Sequence, residues 1–346
     1  MSLPLVTVVI PARNEEPYIS PCLESILNGQ YPLDRLEILV VDGCSDDQTR
    51  VIVSEFADRF PSISLLDNPS RTVPYAMNIG IRASHGEIIV RMDAHARYGK
   101  DYVALLVEWM DRLKADNVGG VWITVPANSS ACANAIAAVL SHPFGVGNAQ
   151  YRIGSAGVPC EVDTVPFGCY RRELFDRIGY YDEMLTRNQD DELNARLRRH
   201  GGRIFLVPQI EIEYIARDSL GKMIKMLFQY GYFKPLVAIK VGRPATLRQL
   251  VPPVFVASVL GLPLLAMLLP AVWWLWGCAI GLHSAASLYL SIGLAIRKGL
   301  PTLPYLFVGF FLAHMAYGIG YLRGIWDFVL WRRHLKKLVG VVPLSR

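Results

Sequence analysis

At 346 residues the chain has room for one large domain or two modest ones, and a mild net charge of +5 without any basic tract interleaved with aromatics argues against a nucleic-acid partner. Its 52% apolar content is unevenly spread: charge is concentrated before about residue 250, and Leu250 to Ile296 is apolar almost without interruption, too long for one buried core helix. The six cysteines (Cys22, Cys44, Cys132, Cys160, Cys169, Cys278) form no CxxC pair and no zinc spacing, which fits a reducing compartment.

Leu5 to Ile10 is a β-branched run that reads as a strand buried on both faces. As an early apolar stretch it is too short for a signal peptide and meets Arg13, Glu15 and Glu16 at once, so the soluble domain is expected in the cytoplasm. A helix over Ile19 to Leu27 follows, then a second buried strand, Leu36 to Val41, closed by Asp42-Gly43. Ser45-Asp46-Asp47 caps a helix reaching about Phe60. The pattern continues with a strand at Ile63 to Leu66, a helix from Pro74 to Ala83 and a strand from Glu87 to Met92. Asp101 to Lys114 is an amphipathic helix and Val118 to Val125 a further strand. Ser141 to Gly157, rich in Gly, Ser and Asn, reads either as a mobile loop over an acceptor or as a surface excursion. From Val162 an extended segment leads through the small turn Phe167-Gly168-Cys169 into a helix, Arg172 to Ile178. A second helix begins near Asp190 with Leu193 and Leu197 on one face.

Strands alternating with helices at this spacing predict an α/β, doubly wound, mostly parallel sheet, whose ligands bind beyond the carboxyl ends of the strands. Glu15, Asp42 and Asp93 each follow a strand, so three acids are predicted on one rim, where a divalent cation is the natural bridge to a diphosphate. Asp42 alone reads equally well as a turn aspartate before Gly43. Asp93-Ala94-His95 places two ligand-type side chains at i and i+2, a pair suited to Mn²⁺ and less so to Mg²⁺. Asp190-Asp191-Glu192 crowds the first turn of a helix, where the helix dipole and exposed N–H groups are expected to keep a carboxylate ionised and able to accept a proton. Arg71, Arg91 and Arg97 either meet phosphate or ribose or are solvated arginines.

Taken together, Val8-Val-Ile-Pro-Ala-Arg-Asn-Glu15, Val40-Val-Asp-Gly-Cys-Ser-Asp-Asp47, Ala76-Met-Asn-Ile-Gly-Ile81, Asp93-Ala-His95 and Gln189-Asp-Asp-Glu-Leu193 resemble the large inverting family 2 of GT-A glycosyltransferases over about residues 5 to 215. With Asp163-Thr-Val-Pro-Phe-Gly-Cys-Tyr170, the likeness narrows to membrane-attached bacterial exopolysaccharide glucosyltransferases of the succinoglycan type. The resemblance implies a nucleotide-sugar pocket lined by Pro11, Arg13, Glu15, Asp42, Arg71, Asn78, Met92 and Asp93, with Asp42 at the base of the nucleotide. It implies a metal, Mn²⁺ or Mg²⁺, at Asp93 and His95, where the family has Asp-x-Asp; the histidine adds loss of activity at low pH as it protonates. It implies Asp190 as catalytic base, with Asp191 in reserve and Gln189 where a glutamate is usual. The implied reaction moves a hexose, with UDP-glucose the first candidate donor, to a polyprenyl-diphosphate-linked saccharide with inversion to a β linkage. The rival reading is a membrane-anchored, non-catalytic sugar-nucleotide-binding protein.

Residues 1–215 are thus expected to form the GT-A domain, 216–249 interfacial helices and 250–346 a transmembrane region with a basic tail. Ser219 to Lys240 reads either as a helix lying along the membrane or as one packed on the catalytic domain. It lacks the Gln-x-x-Arg-Trp motif of processive relatives, since Gln229 is followed by Tyr232-Phe233; one sugar per encounter is implied. Leu250 to Gly277 and Cys278 to Ile296 are the first two crossings, with Trp273, Trp274 and Trp276 as an interfacial belt, and Leu303 to Leu322 is either a third crossing or re-entrant. Lys240, Arg243 and Arg248, then Arg297 and Lys298, then Arg332, Arg333, Lys336 and Lys337 sit at the boundaries, placed for anionic lipid headgroups or a lipid diphosphate. The chain is expected to be a multi-pass protein of the bacterial inner membrane. His283 and His314 fall inside the spans, as packing groups or as functional ones.

Overall fold

A computed structural model describes residues 3–154, 157–242, 244 and 246–336. The chain divides into two compact units, Met1–Ile123 with Ile153–Tyr214, and Thr124–Arg152 with Ile215–Arg346. The second unit thus takes in residues 124–152 as well as the chain from Ile215 onward.

In the first unit, β1 (Val6–Ala12), β2 (Leu36–Asp42), β3 (Ile63–Asp67) and β4 (Ile88–Arg91) lie side by side in the order β3-β2-β1-β4, all parallel. They are joined by α1 (Glu16–Leu27), α2 (Thr49–Arg59) and α3 (Val73–Ala83). Val6, Val8, Val9 and Ile10 of β1 are fully buried. Helices on both sides explain why this strand has no polar face, and each such side chain contributes about 1.5–3 kcal/mol by leaving water. The register pairs Ala12 with Asp42 and Asp42 with Asp67, which brings the carboxyl ends of three strands to one rim.

Beyond β4 the chain continues through β5 (Ala96–Tyr98), α4 (Tyr102–Leu113), β6 (Asn117–Val125), α5 (Ala131–Leu140), α6 (Pro143–Val146), α7 (Gln150–Ile153), β7 (Cys160–Glu161), β8 (Cys169–Arg171), α8 (Glu173–Ile178), α9 (Gln189–Arg199) and β9 (Ile204–Ile215). Among the described residues the sheet has nine strands in the order β3-β2-β1-β4-β8-β6-β9-β5, with β7 also on β9. The parallel order expected from sequence holds for the first four strands. The rest is antiparallel at β4–β8, β6–β8, β5–β9 and β7–β9. Strands as short as β5, β7 and β8 carry too few residues to show a period.

The second unit is helical: α10 (Leu220–Val241), α11 (Val251–Ala266), α12 (Val272–Lys298) and α13 (Leu303–Gly324), the last prolonged by a π-helical turn, Ile325–Leu330. Three stretches, Leu247–Ala266, Val272–Lys298 and Leu300–Leu330, are long and apolar enough to cross a membrane. The first ends well before Gly277. Pro270, which has no N–H to continue a helix, separates it from α12, so the three tryptophans begin the second span. The most apolar part of the third is 50% buried inside the protein, against 22% and 17% for the others, which makes α13 the central helix. α10 packs along it backbone to backbone. A Cβ on Gly231 would lie 2.0 Å from the Tyr317 carbonyl oxygen, one on Gly320 2.1 Å from that of Phe228, and one on Gly324 2.2 Å from that of Tyr232. Small residues allow this approach where lipid offers no hydrophobic drive between helices.

Alanine-rich α5, which shows no amphipathic period, belongs to the same core, with Ile136, Val139 and Leu140 beside Leu306, Phe310 and Ala313. The expected irregular segment from Ser141 is in fact two short helices, α6 and α7. Ser141 Oγ donates to the Ala137 carbonyl, the Phe144 N–H to His142 Nδ1, and the Arg248 guanidinium to the Asn148 carbonyl. Residues 155 and 156 of that segment, Arg243, and Lys337 with the tail after it lie outside the described residues. His283 Nε2 and His314 Nδ1 are 2.9 Å apart, and their rings pack against Phe144 and Phe255. They therefore join α12 to α13 as packing groups.

Candidate active site

Three loops interlock at the carboxyl rim of the parallel strands. Asn14, Cys44 and Arg71 all adopt positive φ (55°, 56° and 61°), costly conformations for side-chain-bearing residues. The loops are tied by Asn14 N–H to Ser45 Oγ (2.9 Å), Asp46 N–H to Asn14 Oδ1 (3.0 Å) and Glu15 N–H to Thr49 Oγ1 (2.8 Å). Gly43 lies closely packed between them: a Cβ there would come within 3.3 Å of both the Arg13 side chain and Arg71 Cα. Pro11 is the next-to-last residue of β1, and Arg13 and Arg71 emerge from the junction exposed. Neither arginine has an ion-pair partner among the described residues, so two cations stand at the rim.

Asp42 is placed differently from the expectation. Its side chain is fully buried; it accepts from Ser45 N–H (3.0 Å) and from Arg50 Nη1 (2.8 Å). The carboxylate thereby shapes the loop that the rim is built on. Met92 is also interior, and its N–H donates to the Val9 carbonyl (3.1 Å). Asn78 points to another segment: its amide donates to the Tyr181 carbonyl and to Glu183 Oε1, and its oxygen accepts the Tyr181 N–H, all at 2.9 Å. Its contribution is to pin residues 181–183 to α3. Arg97 is a surface residue, 3.6 Å from Glu213.

Asp93 and His95 leave the end of β4 together. The Tyr98 hydroxyl, 2.7 Å from the Asp93 N–H, fixes the backbone there. His95 Nδ1 lies 3.2 Å from Glu15 Oε1, a carboxylate only 6% exposed. A carboxylate against Nδ1 is the arrangement by which metal-binding histidines are normally oriented, with Nε2 left for the metal. No group of three or more His, Cys, Asp or Glu able to hold a metal occurs among the described residues. One carboxylate and one oriented imidazole fit a divalent cation whose remaining positions are filled from outside the chain.

Asp93 is joined to Asp190 by Arg91. The guanidinium donates from Nε to Asp93 Oδ1 (3.0 Å) and from Nη2 to Asp93 Oδ2 (3.3 Å), while Nη1 reaches both Asp190 oxygens at 2.8 Å. Arg91 is 4% exposed, and its guanidinium lies over the Phe167 ring, 5.4 Å from the centroid. Phe167 itself has φ 51° and packs on Trp122. Burial works against the Arg91 charge, but Asp190 and Asp93 hold its pKa well above the ordinary arginine value. Burial pushes the Asp190 carboxyl up to about 6, against the pull of Arg91 and with Asp93 and Asp191 adding to the rise. The helix terminus alone therefore does not keep Asp190 ionised as expected; the arginine does, and the result is a carboxylate that exchanges its proton close to neutrality. Its side chain remains 19% exposed.

Two polar anchors hold α9, the helix that presents Asp190. Asn194, fully buried, donates to Thr164 Oγ1 (2.8 Å) and the Val165 carbonyl (3.0 Å) and accepts from Asn117 (2.8 Å). Arg196 pairs with Glu192 and donates to the carbonyls of Ile178, Gly179 and Tyr180, which closes the end of α8. Arg91, Phe167, Asn194 and Arg196 thus fix where Asp190 sits, through contacts that sequence position alone does not show. The one sequence signal was an arginine inside a buried strand two residues before Asp93.

Over residues 7–179 the sequence matches the Glycosyl transferase family 2 profile. Succinoglycan biosynthesis protein ExoA of Rhizobium meliloti (strain 1021) is 29% identical over 323 residues, 93% of this chain and 95% of that protein. Dolichyl N-acetyl-alpha-D-glucosaminyl phosphate 3-beta-D-2,3-diacetamido-2,3-dideoxy-beta-D-glucuronosyltransferase of Methanococcus voltae is 30% identical over 243 residues, 68% of this chain and 74% of that protein. The solved mannosyltransferase PcManGT from Pyrobaculum calidifontis, in complex with GDP-Man and Mn²⁺, superposes with a TM-score of 0.57 at 22% identity over 94% of this chain and 88% of that one, a shared GT-A-like fold. The mixed sheet, the rim loops and the ordered motifs agree with these likenesses, and the chain is a glycosyltransferase belonging to family 2.

Proposed function

We propose that this glycosyltransferase transfers a hexose from a nucleoside diphosphate sugar to a saccharide carried on a polyprenyl diphosphate, with inversion, at the cytoplasmic face of a bacterial inner membrane that it crosses in several passes. The observation that carries the reading is the hold of Arg91 Nη1 on both Asp190 oxygens at 2.8 Å, which fixes a partly open carboxylate that burial pushes up to about 6, beside Asp93 just past β4. Asp190 takes the proton of the acceptor hydroxyl as its oxygen bonds to the anomeric carbon. The bond from that carbon to the diphosphate breaks, and the nucleoside diphosphate leaves with the electron pair. An α-linked donor gives a β-linked product.

Asp93 and His95, the latter oriented by Glu15, are the residues that hold a divalent cation, Mn²⁺ ahead of Mg²⁺ because one donor is a nitrogen. When bound, such an ion neutralises charge on the departing diphosphate. Arg13 and Arg71 supply cations for the phosphates or ribose, and Pro11, Met92, Asn78 and Asp42 hold the surrounding backbone in shape. The relatives' names support the substrate class: succinoglycan biosynthesis for ExoA, and bound GDP-Man with Mn²⁺ for the mannosyltransferase. UDP-glucose is the first donor to test. Incubating the full chain with MnCl₂, a panel of radiolabelled UDP- and GDP-sugars and a lipid extract of the native membrane should label an organic-soluble lipid product with one donor. Label that stays in the aqueous phase with every donor overturns the reading.

A further inference from the structure

We infer that Arg91 is a positioning residue for this reaction: its fork sets the Asp190 carboxylate in a fixed place relative to the Asp93 carboxylate, so that base and leaving-group ligand act as one unit. The inference rests on the proposed roles of Asp190 and Asp93. Both carboxylates use both oxygens on the same guanidinium, Asp93 along the Nε–Nη2 side and Asp190 at Nη1. A lysine offers one point charge and cannot span two carboxylates in a plane, so the geometry calls for arginine in particular.

Arg91 is too deeply buried to grip a donor or acceptor itself, with its side chain 5% exposed. Its effect passes through the two acids, which are 13% and 19% exposed and so keep some access to solvent. Its own position is over-determined. The Arg91 N–H donates to the Gly168 carbonyl (3.1 Å), β4 pairs with β1 and β8, and the Phe167 ring lies against the guanidinium. The backbone strain at Phe167 is accepted where it supplies that ring. The two acids are separated by 97 residues in sequence, and the Arg91–Asp190 contact ties the helix carrying Asp190 to the end of β4. A buried ion bridge of this kind adds little net stability against an apolar replacement, whereas its directional value is large. A misplacement of about 1 Å costs on the order of 100-fold in rate.

The test uses the full chain with Arg91→Lys and Arg91→Met beside Asp190→Asn, read by thermal melting, by calorimetry with UDP and MnCl₂, and by donor KM and kcat in the lipid-extract assay. The expected result is that Arg91→Lys melts like the parent and binds UDP with MnCl₂ within about threefold, while kcat falls by about 100-fold at nearly unchanged KM. Guanidinium ion at millimolar concentration should restore part of the kcat of a folded Arg91→Ala and none of Asp190→Asn. Full turnover in Arg91→Lys or Arg91→Met with Asp190→Asn inactive overturns the inference and leaves the base assignment standing. Turnover in Asp190→Asn overturns the base assignment itself. Failure of every Arg91 variant to fold shows the bridge to be structural only, and also overturns the inference.

Discussion

The catalytic unit and the helical unit each build a buried ion network, with one arginine between two acids in the first and one acid between two arginines in the second. In the catalytic unit Arg91 and its two aspartates come from β4 and α9, and their geometry depends on a strained Phe167 and the polar anchors Asn194 and Arg196. In the helical unit Asp327, 2% exposed, takes the Tyr232 hydroxyl (2.9 Å) from α10, Arg323 (3.1 Å) from one turn earlier in its own helix and Arg333 (3.4 Å) from the short segment that follows. Both arginines there are near neighbours in sequence, whereas Arg91 ties Asp93 to an acid on a distant helix. Packing differs in the same sense, β-branched side chains filling the sheet and missing side chains bringing α10 onto α13.

The contrast breaks first at Asp190. Asp190→Asn should lower kcat by about 10²–10⁴-fold, measured as nucleoside diphosphate release, with UDP affinity hardly changed. Next, Glu15→Gln should weaken Mn²⁺ binding in the presence of UDP by about 10–100-fold by freeing His95 to turn; calorimetric affinity equal to the parent's would remove Glu15 from the metal site. In the helical unit, Gly320→Ala drives a Cβ into the Phe228 carbonyl and should destabilise by about 1–3 kcal/mol, whereas Gly281→Ala, with nothing within 4 Å, should be neutral or slightly stabilising. Detergent melting curves that move equally would show that α10 and α13 do not meet as closely as described.

Acid should act through Asp190. A base works ionised, and its folded pKa, pushed up to about 6, lies above the usual carboxylate value, so kcat should fall about tenfold per pH unit below about 6. The same raised pKa means that the folded state holds this proton more tightly than the unfolded chain does. Asp190 therefore favours folding at pH below its unfolded value near 3.8, and that contribution is lost as pH rises through about 6. A flat profile of kcat from pH 5 to 8 would contradict the assignment. The smallest effect is expected at Asp191, where Asn should change kcat less than about threefold, as for a side chain outside the Arg91 bridge.

Much was legible in the residue order. The continuous apolar strands, the acid after each of them, Asp93-Ala-His95 and the acidic start of α9 can all be read because each depends on neighbours within a few positions. The antiparallel half of the sheet was not, because β5, β7 and β8 are two or three residues long and owe their existence to the strands beside them. Nor was α5, whose alanines look the same on every face until α13 supplies the groove. Asp42 and Asn78 were found as polar residues, one at the end of β2 and one within α3, but sequence position could not say that their hydrogen bonds are spent on Ser45, Arg50, Tyr181 and Glu183.

The sequence by itself determined the kind of chemistry: which acids lie at strand and helix ends, which imidazole accompanies them and where the apolar helices begin. Tertiary structure alone decided which acids share a cation, which way His95 turns and how far Asp190 is raised. Those properties are set by distance and by exclusion of water, and neither exists until strands far apart in the chain are laid side by side.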